Sequence, residues 1–226
     1  MGATSQDPER DGTPADRPAL RAHSFGEDAA MTPVDRFGVW LSSRSIRRHA
    51  GGIAGRRIGD FGCGHHATLA RELARNAAGV TAVDVSLAPA VRDDPRIVAV
   101  EGPLPGVLAS LSDASFDLVL CVSVLEHLDD PDRALREFRR LLAPGGRCLI
   151  NVPTWLGKRF LELSAFRLGL SPAEEMDDHR RYYDPKDLWP ELVRAGFRPR
   201  NIRCFRHKLG LNTFAVCRVP AAGEAA

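Results

Sequence analysis

Residues 57–61, Arg-Ile-Gly-Asp-Phe, read as a short strand, and the chain passes from it through Gly62-Cys63-Gly64-His65-His66 directly into a helical pattern. Strand, glycine turn and helix in that order are the repeating unit of a parallel α/β sheet. Glycines at such a turn let the backbone approach a ligand closely, and the free N–H groups of the helix start face it. The turn is therefore a cofactor site whatever the cofactor is. Gly62, Gly64 and Ala67 fit the G-x-G-x-x-G/A spacing of dinucleotide-binding folds, so the glycines alone leave a nicotinamide-dependent oxidoreductase open.

Two carboxylates narrow the choice. Asp84 ends the second strand, 20 residues after Gly64, where it can accept hydrogen bonds from both ribose hydroxyls of any adenosine-containing cofactor. Asp60 stands two positions before Gly62. An anion there repels a pyrophosphate and suits an ammonium or a sulfonium, which favours S-adenosylmethionine. His65 and His66 beside Cys63 do not read as a metal site, because adjacent side chains at a helix start diverge and the ligand spacings are absent.

The alternation continues. Strands are expected at 57–61, 80–85, 97–100, 116–122 and 147–152, and helices at 66–77, around 105–111 and from Pro131, with Asp130 as cap and Pro144-Gly145-Gly146 as stop. Residues 153–183 break the pattern and read as a helical cap insertion. A helix from Asp184 to Gly196 follows, with Pro190 expected to delay or kink it. Strands at 199–206 and 211–219 close the sheet. The fold class is thus α/β, a Rossmann-like seven-stranded sheet with helices on both faces. Residues 1–30 lack large apolar side chains and read as a disordered leader, 31–52 as an N-terminal helical segment, 53–219 as the main domain and 220–226 as a loose tail. The helix carrying Phe37, Trp40 and Leu41 serves either as core packing or as a lid, and the lid reading sets Trp40 against a substrate.

Composition excludes several classes. The 226 residues with 44% apolar content suffice for one cored domain, and a net charge of +2 without a Lys/Arg run argues against nucleic acid. All but Lys158, Lys186 and Lys208 of the 31 basic residues are arginine, which reads as base bias. Five scattered cysteines fit a reducing compartment, and no apolar run is long enough to span a bilayer or forms a secretory signal. A cytoplasmic monomer or homodimer without membrane insertion is expected.

Over about residues 57–219 the chain resembles the class I S-adenosylmethionine-dependent methyltransferases, in particular their small-molecule branch. The matching motifs are Ile58-Gly59-Asp60-Phe61-Gly62-Cys63-Gly64, Val83-Asp84-Val85-Ser86, Phe116-Asp117-Leu118-Val119, Leu125-Glu126-His127-Leu128, Leu142-Ala143-Pro144-Gly145-Gly146 and Ala195-Gly196-Phe197. The resemblance implies an antiparallel last strand, cofactor laid across the carboxyl ends of the early strands, and a small-molecule acceptor held beneath the cap. It places Asp60, Gly62, Cys63 and Gly64 at the methionine part of the cofactor, Asp84 and Val85 at the ribose, Glu101 and Gly102 beside the adenine, and Ser123 and Val124 on the sulfonium side. His66 departs from the family, which often has a third glycine there; its ring either turns away or narrows the methionine pocket.

Methyl transfer from a sulfonium needs an oriented acceptor, exclusion of water and, for some acceptors, removal of a proton. His127 lies at the carboxyl edge after the fourth strand and is one candidate base; steadying its loop is the alternative role. In the charged cap, His179 stands beside Arg180, Arg181, Tyr182 and Tyr183 and is the preferred base, with Tyr182, Tyr183 and Arg180 shaping the acceptor site. Arg206 and His207 join these arginines as attractors of an anionic substrate. The acceptor atom is O, N or C, in sugar, lipid-linked glycan or secondary metabolism. A methyltransferase fold serving only as a scaffold is the alternative.

Overall fold

Runs of Val, Ile, Leu and Phe with few charges suit strands covered on both faces, and here seven of them join one sheet. In a computed structural model describing residues 24–27, 33–159 and 181–224, these are β1 (Arg57–Phe61), β2 (Gly79–Asp84), β3 (Ile97–Glu101), β4 (Phe116–Val122), β5 (Leu142–Pro153), β6 (Ile202–His207) and β7 (Asn212–Arg218). Their order is β3-β2-β1-β4-β5-β7-β6. The β1–β5 neighbours pair in parallel, while β7 runs antiparallel to both β5 and β6. That antiparallel strand separates the sheet from the 3-2-1-4-5-6 order of dinucleotide-binding folds.

Five α-helices lie among the described residues: α1 (Pro33–His49), α2 (Thr68–Leu73), α3 (Pro89–Arg92), α4 (Pro131–Leu141) and α5 (Pro185–Arg194). In α4, Pro131 supplies a preset φ at the first position, and the Asp130 carboxylate accepts from Arg133 N at 2.8 Å. Ala134, Leu135, Phe138 and Leu141 then share its buried face. Phe61 sets its ring 5.6 Å from Phe116 and 5.5 Å from Phe138, making the centre of the core between sheet, α4 and α5. The opposite core holds Ile46 of α1, Ala70 and Leu73 of α2, Val91 of α3 and Phe214 of β7. Each fully buried large side chain contributes roughly 1.5–3 kcal/mol, so the two cores fix the sheet from both faces.

Several boundaries move. The helix expected at 66–77 is Thr68–Leu73, because Ala67 takes a left-handed φ of 43° that keeps the turn open before it. Pro199–Asn201 forms a 3₁₀ turn, so β6 starts later than expected. β5 begins at Leu142, which pairs with Phe116 across a register shift ahead of Leu118. α5 continues through Pro190 to Arg194 without a break. The tail expected to be loose is tied down: Gly145 N donates to Pro220 O at 3.0 Å, and Glu224 accepts from Ala221 N at 2.8 Å. Residues 160–180 of the expected cap, and the leader apart from residues 24–27, lie outside the described residues. No described helix is long and apolar enough to cross a membrane.

Candidate active site

The carboxyl ends of β1, β2 and β4 meet around the glycine turn. Gly62 N and Cys63 N both donate to Val83 O, at 2.7 and 3.2 Å, which folds the turn back over β2. Gly62 has φ +79°, and a Cβ there would collide with the methyl groups of Val124. The glycine turn and the loop after β4 thus touch through a space only a glycine leaves. Gly64, with φ +75°, donates its N–H to Asp84 Oδ2 at 2.7 Å. Val85 N donates to Asp84 Oδ1 at 2.8 Å, so the backbone aims this carboxylate from two sides.

Asp60 is 2% exposed, and its Oδ2 has no hydrogen-bond partner. Burial, and then the charge of Asp84, push its carboxyl up to about 7. Such a carboxyl lacks a cation. The ammonium end of S-adenosylmethionine supplies one, so this buried carboxyl fits the cofactor that the sequence implies. The Cys63 thiol is pushed well above its ordinary range by burial, then by Asp60 and Asp84, which makes it a neutral lining atom rather than a nucleophile.

Residues 24–27, assigned by composition to a disordered leader, pack on this site. The Ser24 hydroxyl donates to Asp84 Oδ1 at 2.5 Å and lies 2.7 Å from Ser86 O, and Ser86 N donates back to it at 3.0 Å. Glu27 Oε2 accepts from Ser24 N at 3.0 Å, and Phe25 O accepts from His65 N at 3.0 Å. Ser24, Phe25 and Glu27 each have a hydrogen-bond partner on the loops after β1 and β2, and Ser24 and Glu27 also bond to one another. No local signal marks them: Ser-Phe-Gly-Glu resembles any linker.

The other sequence candidates divide. His66 is exposed, and its ring lies 3.9 Å from where a Cβ on Gly26 would sit. Glu101 Oε1 accepts from Leu87 N at 2.7 Å and from Arg92 at 3.2 Å, holding the loop after β2, while Gly102 N donates to Asp84 O at 2.9 Å. Ser123 takes a left-handed φ of 55° and is open to solvent, with Val124 beside it against Gly62. His127 is half-buried in the 3₁₀ turn Leu125–His127. Tyr182 lies 5.3 Å from the Trp155 ring with Lys158 Nζ above it at 5.2 Å. Tyr183 is a core side chain of the α5 side, 2% exposed, which places it beneath the acceptor surface. Trp40 is 54% exposed and stacks on Phe37 at 5.8 Å. His207 abuts Ser45 of α1 at 3.3 Å, and burial followed by the charge of Lys208 lowers its pKa. Arg206 is exposed. His179 and Arg180 lie outside the described residues. Among the described residues no cluster of metal-binding side chains forms.

Lys208 was passed over by sequence reasoning. It follows β6, takes a left-handed φ of 49°, and its Nζ lies 3.6 Å from where a Cβ on Gly38 would sit. Burial lowers its pKa to about 8, and the charge of Glu126, fully buried in the turn after β4, opposes that shift. The available signal was a lysine in a chain that otherwise writes arginine.

Comparison with known proteins agrees with this geometry. The methyltransferase domain family matches residues 35–202. A ubiquinone biosynthesis O-methyltransferase of Acinetobacter baylyi is 27% identical over 192 residues, covering 80% of this chain and 79% of that protein. Among solved structures, the [4+2]-cyclase SpnF superposes with a TM-score of 0.63 at 18% identity, covering 91% of this chain and 90% of that one. The 1,6-didemethyltoxoflavin-N1-methyltransferase of Burkholderia thailandensis, solved with 1,6-didemethyltoxoflavin and S-adenosylhomocysteine, gives 0.57 at 22% identity, covering 83% of each chain. At these identities the solved structures speak for the fold alone.

Proposed function

Because the chain belongs to the methyltransferase domain family and transfers a methyl group from S-adenosylmethionine to a small molecule, we propose that its acceptor is a hydroxyl group on an aromatic ring. The observation that carries this reading is the aromatic rim at the carboxyl edge of the sheet. Phe37 and Trp40 stand exposed and stacked on α1, and Trp155 lies at a tilt against Tyr182 just after β5, their ring centroids 5.3 Å apart. Flat apolar surfaces of this kind pair with a flat ring. Oxygen as the acceptor atom is supported by the O-methyltransferases of ubiquinone biosynthesis among the relatives.

When bound, the cofactor supplies a methyl group already activated by its sulfonium. The chain's residues do the rest. Asp60 holds the ammonium, the Gly62 and Gly64 backbone shapes the methionine pocket, Asp84 and Val85 hold the ribose, Gly102 and Glu101 border the adenine, and Ser123 and Val124 flank the reacting sulfur. His127 and Tyr182 orient the acceptor from the β4 and cap sides, and Trp40 shields it from water. Five free thiols and the balanced charge favour a cytoplasmic enzyme, monomeric or homodimeric, working on metabolites rather than nucleic acid.

The test is methylation of a panel of catechols, simple phenols, anilines and aliphatic alcohols, followed by product mass and position. Methyl ethers of the catechols or phenols are expected. Products methylated only at nitrogen or carbon, or no turnover of any phenol, would reject the hydroxyl reading.

A further inference from the structure

We infer that Lys208 is the general base of this enzyme, accepting the proton of the acceptor hydroxyl as the methyl group is transferred. The inference rests on the hydroxyl-acceptor reading above and assigns its proton to an atom.

Placement comes first. β6 ends at His207, which pairs with Asn212, and Asn212 pairs with Pro153 at the end of β5, so Lys208 opens a turn at the carboxyl edge of the sheet. Its Nζ lies 3.6 Å from where a Cβ on Gly38 would sit, which sets the amine against α1 between the exposed Phe37 and Trp40 positions, on the side proposed for the acceptor. Lys208 and Leu209 both hold left-handed backbone conformations, φ 49° and 58°, without being glycine. Two such residues in succession are costly and persist where the surroundings impose them, which is common at functional sites. α1 contributes Gly38, which brings no charge next to Nζ. Among the described residues, the titratable groups that interact electrostatically with the amine are Glu126 from the β4 turn and His207 from β6.

Chemistry comes second. Burial lowers the Lys208 pKa to about 8, with Glu126 opposing the shift, so a sizeable fraction of the side chain is a neutral amine near neutral pH. An arginine here would stay charged and could accept nothing, which gives a reason for lysine in a chain whose basic residues are nearly all arginine. In the reaction the acceptor O–H bond breaks and its proton goes to the Nζ lone pair, giving an ammonium. The acceptor oxygen's electron pair forms the new O–C bond, and the C–S bond breaks with its pair remaining on sulfur. The charge of Glu126 stabilises the ammonium left behind until the proton passes to solvent.

The experiment uses the full chain with catechol and with 4-nitrocatechol, an acidic acceptor whose ionised form absorbs visible light. For the wild type, catechol methylation should rise with pH to a plateau above about 8. In Lys208→Arg, which keeps a positive charge, catechol turnover should fall about 100-fold and that limb disappear, while 4-nitrocatechol, ionised without help, keeps most of its rate. Without turnover, in the S-adenosylhomocysteine complex, bound 4-nitrocatechol should show its ionised absorption at lower pH than in free solution, and Lys208→Met should abolish this shift while binding S-adenosylhomocysteine as the wild type does. Wild-type rates and pH profile in Lys208→Arg, or an unchanged absorption shift in Lys208→Met, would overturn the assignment alone. If the wild type neither binds nor methylates either catechol, the hydroxyl reading fails and takes the assignment with it.

Discussion

The cofactor end and the acceptor end of this sheet are built by different means. In the proposed site, the groups of the cofactor end follow immediately after β1, β2, β3 and β4, and backbone supplies much of it: Gly62 and Gly64 in left-handed turns, and the Gly64 and Val85 N–H groups that aim Asp84. The proposed acceptor end draws its groups from α1, the β4 turn, the residues flanking 160–180 and the β6–β7 turn, and uses side chains: Trp40, His127, Tyr182 and Lys208. A site made of backbone tolerates almost no change in residue type at its glycines. A site made of side chains can be rebuilt one position at a time, which is how one fold comes to serve many acceptors.

That contrast can be broken at its strongest point first. Gly62→Ala places a methyl group into Val124 and forces a left-handed alanine, so S-adenosylhomocysteine affinity should fall about 100-fold by calorimetry, with the fold retained by circular dichroism. An alanine variant binding normally would show that the turn does not approach the ligand. Asp84→Ala removes a charged acceptor and should cost about 30-fold in the same titration; equal loss for methionine and for S-adenosylhomocysteine would mean that this carboxylate does not hold the ribose.

Asp60 sharpens the comparison through pH. Its carboxyl is neutral below about 7, and a cofactor cation favours the ionised form, so binding releases a proton and weakens as pH falls through 7. Affinity should drop about tenfold from pH 8 to pH 6, and Asp60→Asn should flatten that dependence. A flat wild-type profile would place the cation elsewhere. In the free protein the same shift works the other way: the extra stability of the protonated form is full only below the ordinary carboxylate pKa, falls steadily as pH rises above it, and is gone above about 7.

The smallest effect concerns residues 24–27. Ser24 takes a lone pair of Asp84 Oδ1 for which a ribose hydroxyl competes, so Ser24→Ala should tighten S-adenosylhomocysteine about threefold. Weaker binding in that variant would instead make Ser24 a supporting wall of the site.

The same contrast explains what was legible. The placement of Asp60 and Asp84 toward strand ends and of Gly62 and Gly64 in the turn could be read because such features are local, written within a few residues of one another. The boundaries of α2 and β6 moved because Ala67 and Pro199 decide them through backbone angles that hydrophobic period does not reveal. Tyr183 read as an acceptor residue and stands in the core, since a phenol in a charged run gives no sign of which way it turns.

By itself the sequence determined the α/β alternation, the seven strands and the carboxylate and glycine chemistry of the cofactor turn, because these follow from short-range periodicity and from the conformational freedom of glycine. Only the tertiary structure decided that β7 lies between β5 and β6, that Ser24 reaches Asp84 across 60 residues, and that Lys208 sets its amine against Gly38 of α1. Those contacts join segments whose separation in sequence carries no local signal, and they exist because two cores, one on each face of the sheet, bring the segments together.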